Sequence, residues 1–326
     1  MSLRGSSVAV TAIIVTYNSS AVIKDCLSLL QSNPEIEVIV FDNASLDGTV
    51  ELMKREYKNV KVIEHDRNLG FAGAVNRAAE EASGDAILLL NPDAIISGST
   101  VIAMYKTLHS DDSIGVIAPT LRQPAGHLTV REGGREPNLW RVLCHFSGLS
   151  RFSHRIRTFE GAYLLHVHGL NTRDVDWVSG ACMMVKSELW SSLGGLSDRW
   201  FMYAEDIEFC LRARECGLRV VMSADFDATH ALGESSGSQD FGKPNTLWIE
   251  NLFDLYKWKI SGGRLSNIAW KVVVAGGFYA RAMLYMGRSR IGHSPDGPDG
   301  ISARRALTFA RAVSKQPSKL DAPFLD

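Results

Sequence analysis

Between Val8 and Ala94 the chain alternates four short apolar runs with amphipathic stretches, and this alternation constrains the fold more than any other feature. The runs are Val8 to Thr16, Glu37 to Phe41, Val60 to Glu64 and Ala86 to Leu90. Ala21 to Gln31, Val50 to Tyr57 and a stretch from Asn68 to about Ala82 lie between them with helical spacing of apolar residues. Strands separated by helices pair in parallel through right-handed crossovers, so an α/β fold with a mostly parallel central sheet flanked by helices follows. The fourth run, bounded by Gly84 and Pro92, is apolar without a break, as expected of a strand buried on both faces. It stops at Asn91-Pro92-Asp93, which puts Asp93 just past its carboxyl end, where ligands bind in open α/β sheets. A carboxylate there either holds Mg²⁺ or Mn²⁺ against a diphosphate, or begins a turn and caps the helix that follows near Ser99 to Leu108.

Several classes are excluded early. The loop after the first strand, Thr16-Tyr17-Asn18-Ser19-Ser20, lacks both the glycine fingerprint of a dinucleotide-binding domain and a Walker loop. A formal net charge of -1 over 326 residues argues against bulk attraction to nucleic acid. The five cysteines are scattered with no C-x-x-C pair, which suggests neither a disulfide framework nor a zinc site and fits a reducing compartment. No apolar signal core opens the chain, so a cytoplasmic location is expected.

Further along, Ile114 to Ala118 reads as a strand. From Thr120 to His168 periodicity fades while Arg122, Arg131, Arg135, Arg141, Arg151, Arg155 and Arg157 accumulate among aromatic residues. Such a stretch is either a solvated excursion or a face for an anionic partner or membrane surface. Order returns at Val175 to Val185, with a helix near Ser187 to Leu193. Trp200 to Gly217 reads as an aromatic lead into a helix that opens with acids and closes at glycine. Arg219 to Ser223 is a last strand, and His230 lies in the loop after it. Trp248 to Lys259 and Ile268 to Arg290 read as helices; the second is too interrupted to span a bilayer and either lies in a membrane interface or docks on the core or a partner subunit. Residues 291–326 read as a flexible tail with room for one more helix.

These motifs, in this order over Val10 to Gly237, resemble the inverting glycosyltransferases of family 2 with the nucleotide-diphospho-sugar transferase (GT-A) fold, and most resemble their bacterial rhamnosyltransferase-like members. The resemblance implies a catalytic domain over 8–240, with a nucleotide-binding half at about 8–120 and an acceptor half at about 170–240, then a helical extension over 241–290. It implies that Thr16, Tyr17, Asn18, Asp42, Asn43 and Ser45 line the nucleotide site, with Asn68, Gly70, Ala72, Asn76 and Asn91. Asp93 stands where relatives carry the last acid of Asp-x-Asp and would hold the divalent metal, Mg²⁺ or Mn²⁺, with His230. Glu205-Asp206 is similar to the family's Glu-Asp motif, which makes Asp206 the catalytic base and Glu205 its neighbour. Trp177, Gly180 and Arg212 would contact the acceptor.

The resemblance further implies transfer of L-rhamnose from dTDP-L-rhamnose to N-acetylglucosaminyl diphospho-polyprenol in cell-envelope polysaccharide synthesis. The enzyme would work peripherally at the inner face of the cell membrane, with a homodimer through the C-terminal helices an open option. Two alternatives stand: the same chemistry with a UDP-hexose or UDP-galactofuranose donor, and a catalytically silent sugar-nucleotide-binding protein. Asn91 in place of the first acid favours the silent protein, and an intact Glu205-Asp206 opposes it.

Overall fold

Alternation between two apolar faces builds the first half of the molecule. The computed structural model describes residues 8–30, 33–123, 132–165, 171–230, 244–291 and 297–315. In chain order the first elements are β1 (Val10–Thr16), α1 (Ile23–Ser28), β2 (Ile36–Asn43), α2 (Thr49–Glu56), β3 (Lys61–His65), α3 (Gly70–Ala79) and β4 (Ala86–Leu90). Ile13, Ile39, Ile87 and Leu89 enter the core on one side of the sheet, whereas Ala12, Ile14, Val38, Val40, Leu88 and Leu90 enter the core on the other. Both faces of β4 are thus covered, which is why its sequence is apolar throughout. Each fully buried leucine there contributes about 1.5–3 kcal/mol relative to exposure.

The chain continues through β5 (Ala94–Ile95), α4 (Gly98–Ser110), β6 (Ile114–Arg122), β7 (Gly133–Gly134), α5 (Leu139–Ser147), β8 (Arg173–Val175), β9 (Trp177–Val178), β10 (Cys182–Lys186), α6 (Ser187–Leu193), α7 (Glu205–Glu215) and β11 (Arg219–His230). Among the described residues the main sheet has nine strands, in the order β3-β2-β1-β4-β10-β6-β11-β5 with β8 beside β11. Six of them, β1 to β4 with β6 and β11, run in one direction, and β10 runs against them between β4 and β6. β7 and β9 pair separately as a short ribbon.

The stretch from Thr120 to His168 is more ordered than its composition suggests, although 124–131 and 166–168 lie outside the described residues. Glu160 is buried and takes hydrogen bonds from Arg135 and Arg173, and the Arg141 guanidinium donates to the carbonyls of Arg157, Thr158 and Glu160. Arg135 and Arg141 are therefore internal fasteners of this segment, not a face for an anionic partner. Arg151, Arg155 and Arg157 remain exposed beside Phe152 and Ile156.

Among the described residues three helices follow: α8 (Leu247–Leu255), which runs into a π-helical turn at Tyr256–Ile260, then α9 (Arg264–Ile291) and α10 (Pro298–Ser314). The π turn brings Tyr256 against Trp270 of α9, with ring centroids 5.6 Å apart. Phe278 of α9 packs on Phe146 of α5 and on Phe309 of α10. The expectation of a flexible tail is corrected over 298–314, where Ala303, Ala306, Ala310 and Val313 bury one face of α10; residues 316–326 lie outside the described residues. On α9, Leu265, Ile268, Val272, Tyr279 and Met283 form an exposed apolar stripe, and among the described residues no helix is long and apolar enough to cross a membrane.

Candidate functional site

The carboxyl ends of β1 and β2 are tied together before any ligand arrives. Thr16 is in register with Asp42, and its hydroxyl donates to Asp42 Oδ2 at 2.8 Å. Asp42 also accepts the amide and the hydroxyl of Ser45. Ser45 Oγ in turn accepts the Asn18 amide at 2.8 Å, and Asn18 Oδ1 accepts the amide of Leu46. Asn18 and Ala44 both hold left-handed backbone, with φ of 53° and 64°. Asp42 is almost fully buried, while Tyr17 beside it stands exposed.

Asn43 accepts the Leu69 amide and donates to the Gly70 carbonyl, and the Asn68 side chain accepts the Gly70 amide. Gly70 has φ of 75°, and a Cβ there would lie 2.2 Å from the Phe201 carbonyl oxygen. Only glycine lets α3 start against the segment that leads into α7. Ala72 is buried beneath this turn. Asn76 exchanges two hydrogen bonds with the backbone of Leu196, so it holds the loop after α6.

A second cluster forms where β11 reaches β5. The pairing sets His230 opposite Ala94, so His230 ends a strand instead of sitting in a loop, directly beside Asp93. The strand runs well past Ser223 because a register shift between Ser223 and Asp227 carries it along β6. His230 Nε2 is 3.3 Å from Asp93 Oδ1 and 3.3 Å from the side-chain Nδ2 of Asn91, while Nδ1 is 3.4 Å from Glu132 Oε1. Nε2 thus lies beside the Asp93 carboxylate. A divalent cation held between the Nε2 lone pair and Asp93 would fit this donor set, in which the carboxylate oxygen suits Mg²⁺ or Mn²⁺. Burial pulls the imidazole pKa down, but hydrogen bonds and charge from Asp93 and Glu132 outweigh it and raise the pKa to about 9, so a cation would have to displace the Nε2 proton to bind there. Among the described residues no three His, Cys, Asp or Glu side chains converge as a complete metal centre. Two protein ligands would leave the remaining positions to a diphosphate and water.

Asp206 lies at the first turn of α7. Tyr203 and Ala204 precede it with φ of 70° and 81°, so all four described non-glycine residues in left-handed backbone belong to this site or its loops. Asp206 Oδ2 accepts the Gly180 amide at 3.0 Å, and Oδ1 accepts the Ile207 amide at 2.8 Å. Gly180 is wedged between Phe71 and Asp206, and a Cβ there would meet the Phe71 ring at 3.0 Å. Burial raises the Asp206 pKa, the Gly180 and Ile207 amides oppose the rise, and the charge of Glu132 adds to it. Glu205 is pushed up further by burial and then by Asp206. Its Oε2 is buried with no hydrogen-bond partner among the described residues. Both carboxyls are thus held above their ordinary pKa, and the two backbone amides on Asp206 favour its carboxylate form.

Two expected acceptor contacts are placed elsewhere. Arg212 grips Glu208 and donates to the carbonyls of Leu193 and Gly195, so it fastens α7 to the end of α6. Trp177 is buried, its indole N–H on the Arg135 carbonyl and Tyr163 edge-on at 5.4 Å, which leaves no face for a sugar. Sequence reasoning missed Glu132, hidden in a run read only for its arginines, and Glu208, a buried acid that also takes Lys259 at 2.9 Å.

Residues 11–163 match the family model described as glycosyl transferase family 2. An N-acetylglucosaminyl-diphospho-decaprenol L-rhamnosyltransferase of Mycobacterium tuberculosis is 30% identical over 223 residues, which cover 65% of this chain and 71% of that protein. A low-salt glycan biosynthesis hexosyltransferase, Agl10 of Haloferax volcanii, is 27% identical over 67% of this chain and 66% of its own length. The mannosyltransferase PcManGT of Pyrobaculum calidifontis, solved with GDP-Man and Mn²⁺, superposes with a TM-score of 0.56 at 17% identity, over 94% of this chain and 84% of that one, and so shares the fold. The chain has the GT-A fold and belongs to glycosyl transferase family 2.

Proposed function

We propose that the protein transfers L-rhamnose from dTDP-L-rhamnose, with inversion, to N-acetylglucosaminyl diphospho-polyprenol at the inner face of the membrane, in cell-envelope polysaccharide synthesis. The observation that carries inverting transfer is Asp206, a carboxyl group fixed by two backbone amides on the side of the sheet that also presents Asp93 and His230. The choice of sugar and acceptor leans on the mycobacterial relative.

On this reading the acceptor hydroxyl lies against Asp206, and its proton passes to that carboxylate as the oxygen attacks the anomeric carbon opposite the diphosphate. The Gly180 and Ile207 amides hold the carboxylate in place, so no reorganisation is needed at the moment of transfer. Neutral Glu205 avoids a second negative charge beside the base. A divalent cation held by Asp93 and His230 would supply charge neutralisation for the departing diphosphate. Membrane attachment is supported by the exposed stripe on α9, about 27 Å long at 1.5 Å per residue, and by exposed Arg151, Arg155 and Arg157 beside Phe152 and Ile156.

The test is transfer from a panel of dTDP- and UDP-sugars to a short-chain N-acetylglucosaminyl diphospho-lipid, with Mg²⁺, Mn²⁺ or chelator. Transfer confined to dTDP-rhamnose and lost with chelator is expected. Transfer from a UDP-hexose alone overturns the donor, and nucleotide binding without any transfer supports the silent reading.

A further inference from the structure

One carboxylate at the site remains without a task. Glu132 immediately precedes β7, and its main-chain carbonyl accepts the Ser179 amide at 2.9 Å. That contact fixes it next to the turn whose Gly180 amide holds Asp206. Its side chain is 10% exposed, and among the described residues His230 is the one side chain with which it makes an ion pair.

The geometry divides the two sides of the imidazole. Asp93 and Asn91 lie at Nε2, and Glu132 lies at Nδ1. The two ring nitrogens point apart, so Glu132 does not join an ion held between Nε2 and Asp93. A ring nitrogen binds a cation only through its lone pair, and which nitrogen carries that lone pair is set by the hydrogen bond the other one makes. We infer that Glu132 is a positioning residue: it accepts the Nδ1–H of His230 and so presents the Nε2 lone pair, beside Asp93, to a divalent cation. The inference rests on the reading of Asp93 and His230 as the cation site.

The experiment measures the Mn²⁺ dissociation constant from the free-ion EPR signal, with dTDP present and again with UDP, for wild type, Glu132→Ala, Glu132→Gln, His230→Ala and the Glu132→Ala/His230→Ala pair. Loss of such a partner typically weakens metal binding 10- to 100-fold, which is the expected effect of Glu132→Ala. Glu132→Gln should recover part of the loss, because its amide oxygen still accepts the Nδ1–H. In the His230→Ala background, Glu132→Ala should change affinity by less than about twofold, since its effect passes through the imidazole. Metal-free melting temperatures report whether each variant is folded, and the near-isosteric Glu132→Gln keeps the test decisive if the alanine variant unfolds. Wild-type affinity in Glu132→Ala together with weak binding in His230→Ala overturns the positioning role and leaves the cation site standing. Unchanged affinity in His230→Ala overturns both, and an undiminished Glu132→Ala effect in the His230→Ala background reduces Glu132 to a structural prop.

Discussion

Replacing Asp206 by asparagine separates chemistry from binding. Both carboxylate oxygens accept backbone amides, from Gly180 at 3.0 Å and Ile207 at 2.8 Å. Asparagine keeps one acceptor and turns an NH₂ toward the other amide, a mismatch that costs about 1–3 kcal/mol. Removal of a buried charge, disfavoured also by Glu132, offsets much of that cost. The variant should therefore fold, with its melting temperature at pH 8 within a few degrees of wild type. Turnover should fall by about 10²- to 10⁴-fold, the usual contribution of a positioned base, or roughly 3–5 kcal/mol in the barrier. Single-turnover transfer measures this, and calorimetric titration with nucleotide should give an affinity within about twofold of wild type, because Asp206 is tied to the Gly180 turn and not to the β1–β2 loops. Turnover within about fivefold of wild type would remove Asp206 as the base.

Because burial raises Asp206, kcat/KM should rise with pH along an acidic limb displaced above the ordinary carboxylate value of about 4, as the base must lose its proton to act; a pH profile with its limb at about 4 contradicts the assignment. Gly70→Ala places a Cβ 2.2 Å from the Phe201 oxygen at φ 75° and should cost about 2–4 kcal/mol in urea unfolding, with reduced turnover because Phe201 leads into α7; a loss under about 0.5 kcal/mol refutes the packing argument. Asp93→Ala should abolish Mn²⁺-dependent strengthening of nucleotide binding in calorimetry, and its persistence would place the cation elsewhere. Val272→Asp with Met283→Asp alters side chains that are 66% and 64% exposed, so the fold should stand while the protein leaves phosphatidylglycerol-containing vesicles in a flotation assay; retention refutes attachment through α9.

The parallel half was legible because β4 is covered on both faces and is apolar throughout, and β1 and β2 beside it are apolar over most of their length. Direction was not legible: Cys182–Lys186 reads as a strand, but nothing in Cys-Met-Met-Val-Lys tells that it runs against β4 and β6. The reach of β11 was hidden by Asp225 and Asp227, polar residues at the register shift that look like the end of a strand. Asp93, Asp206 and Gly180 were singled out by motif. The roles of Arg212 and Trp177 were misjudged because a residue's type does not reveal whether tertiary neighbours have already claimed it. α10 was obscured by its lead of prolines and glycines, although its small residues at helical spacing carry the signal for burial on α9.

The reversed strand β10 also has a mechanical meaning. Its ladder runs from Cys182 opposite Leu90 to Lys186 opposite Ala86, and the Asn91 amide is bound to the Ala181 carbonyl at 2.9 Å. The side that carries Asp93 and the turn that steadies Asp206 are therefore stitched together by main-chain bonds through the middle of one sheet. A clamshell motion that parted them would have to tear that ladder. Any relative movement of these two sides would therefore have to break main-chain hydrogen bonds and not merely side-chain contacts.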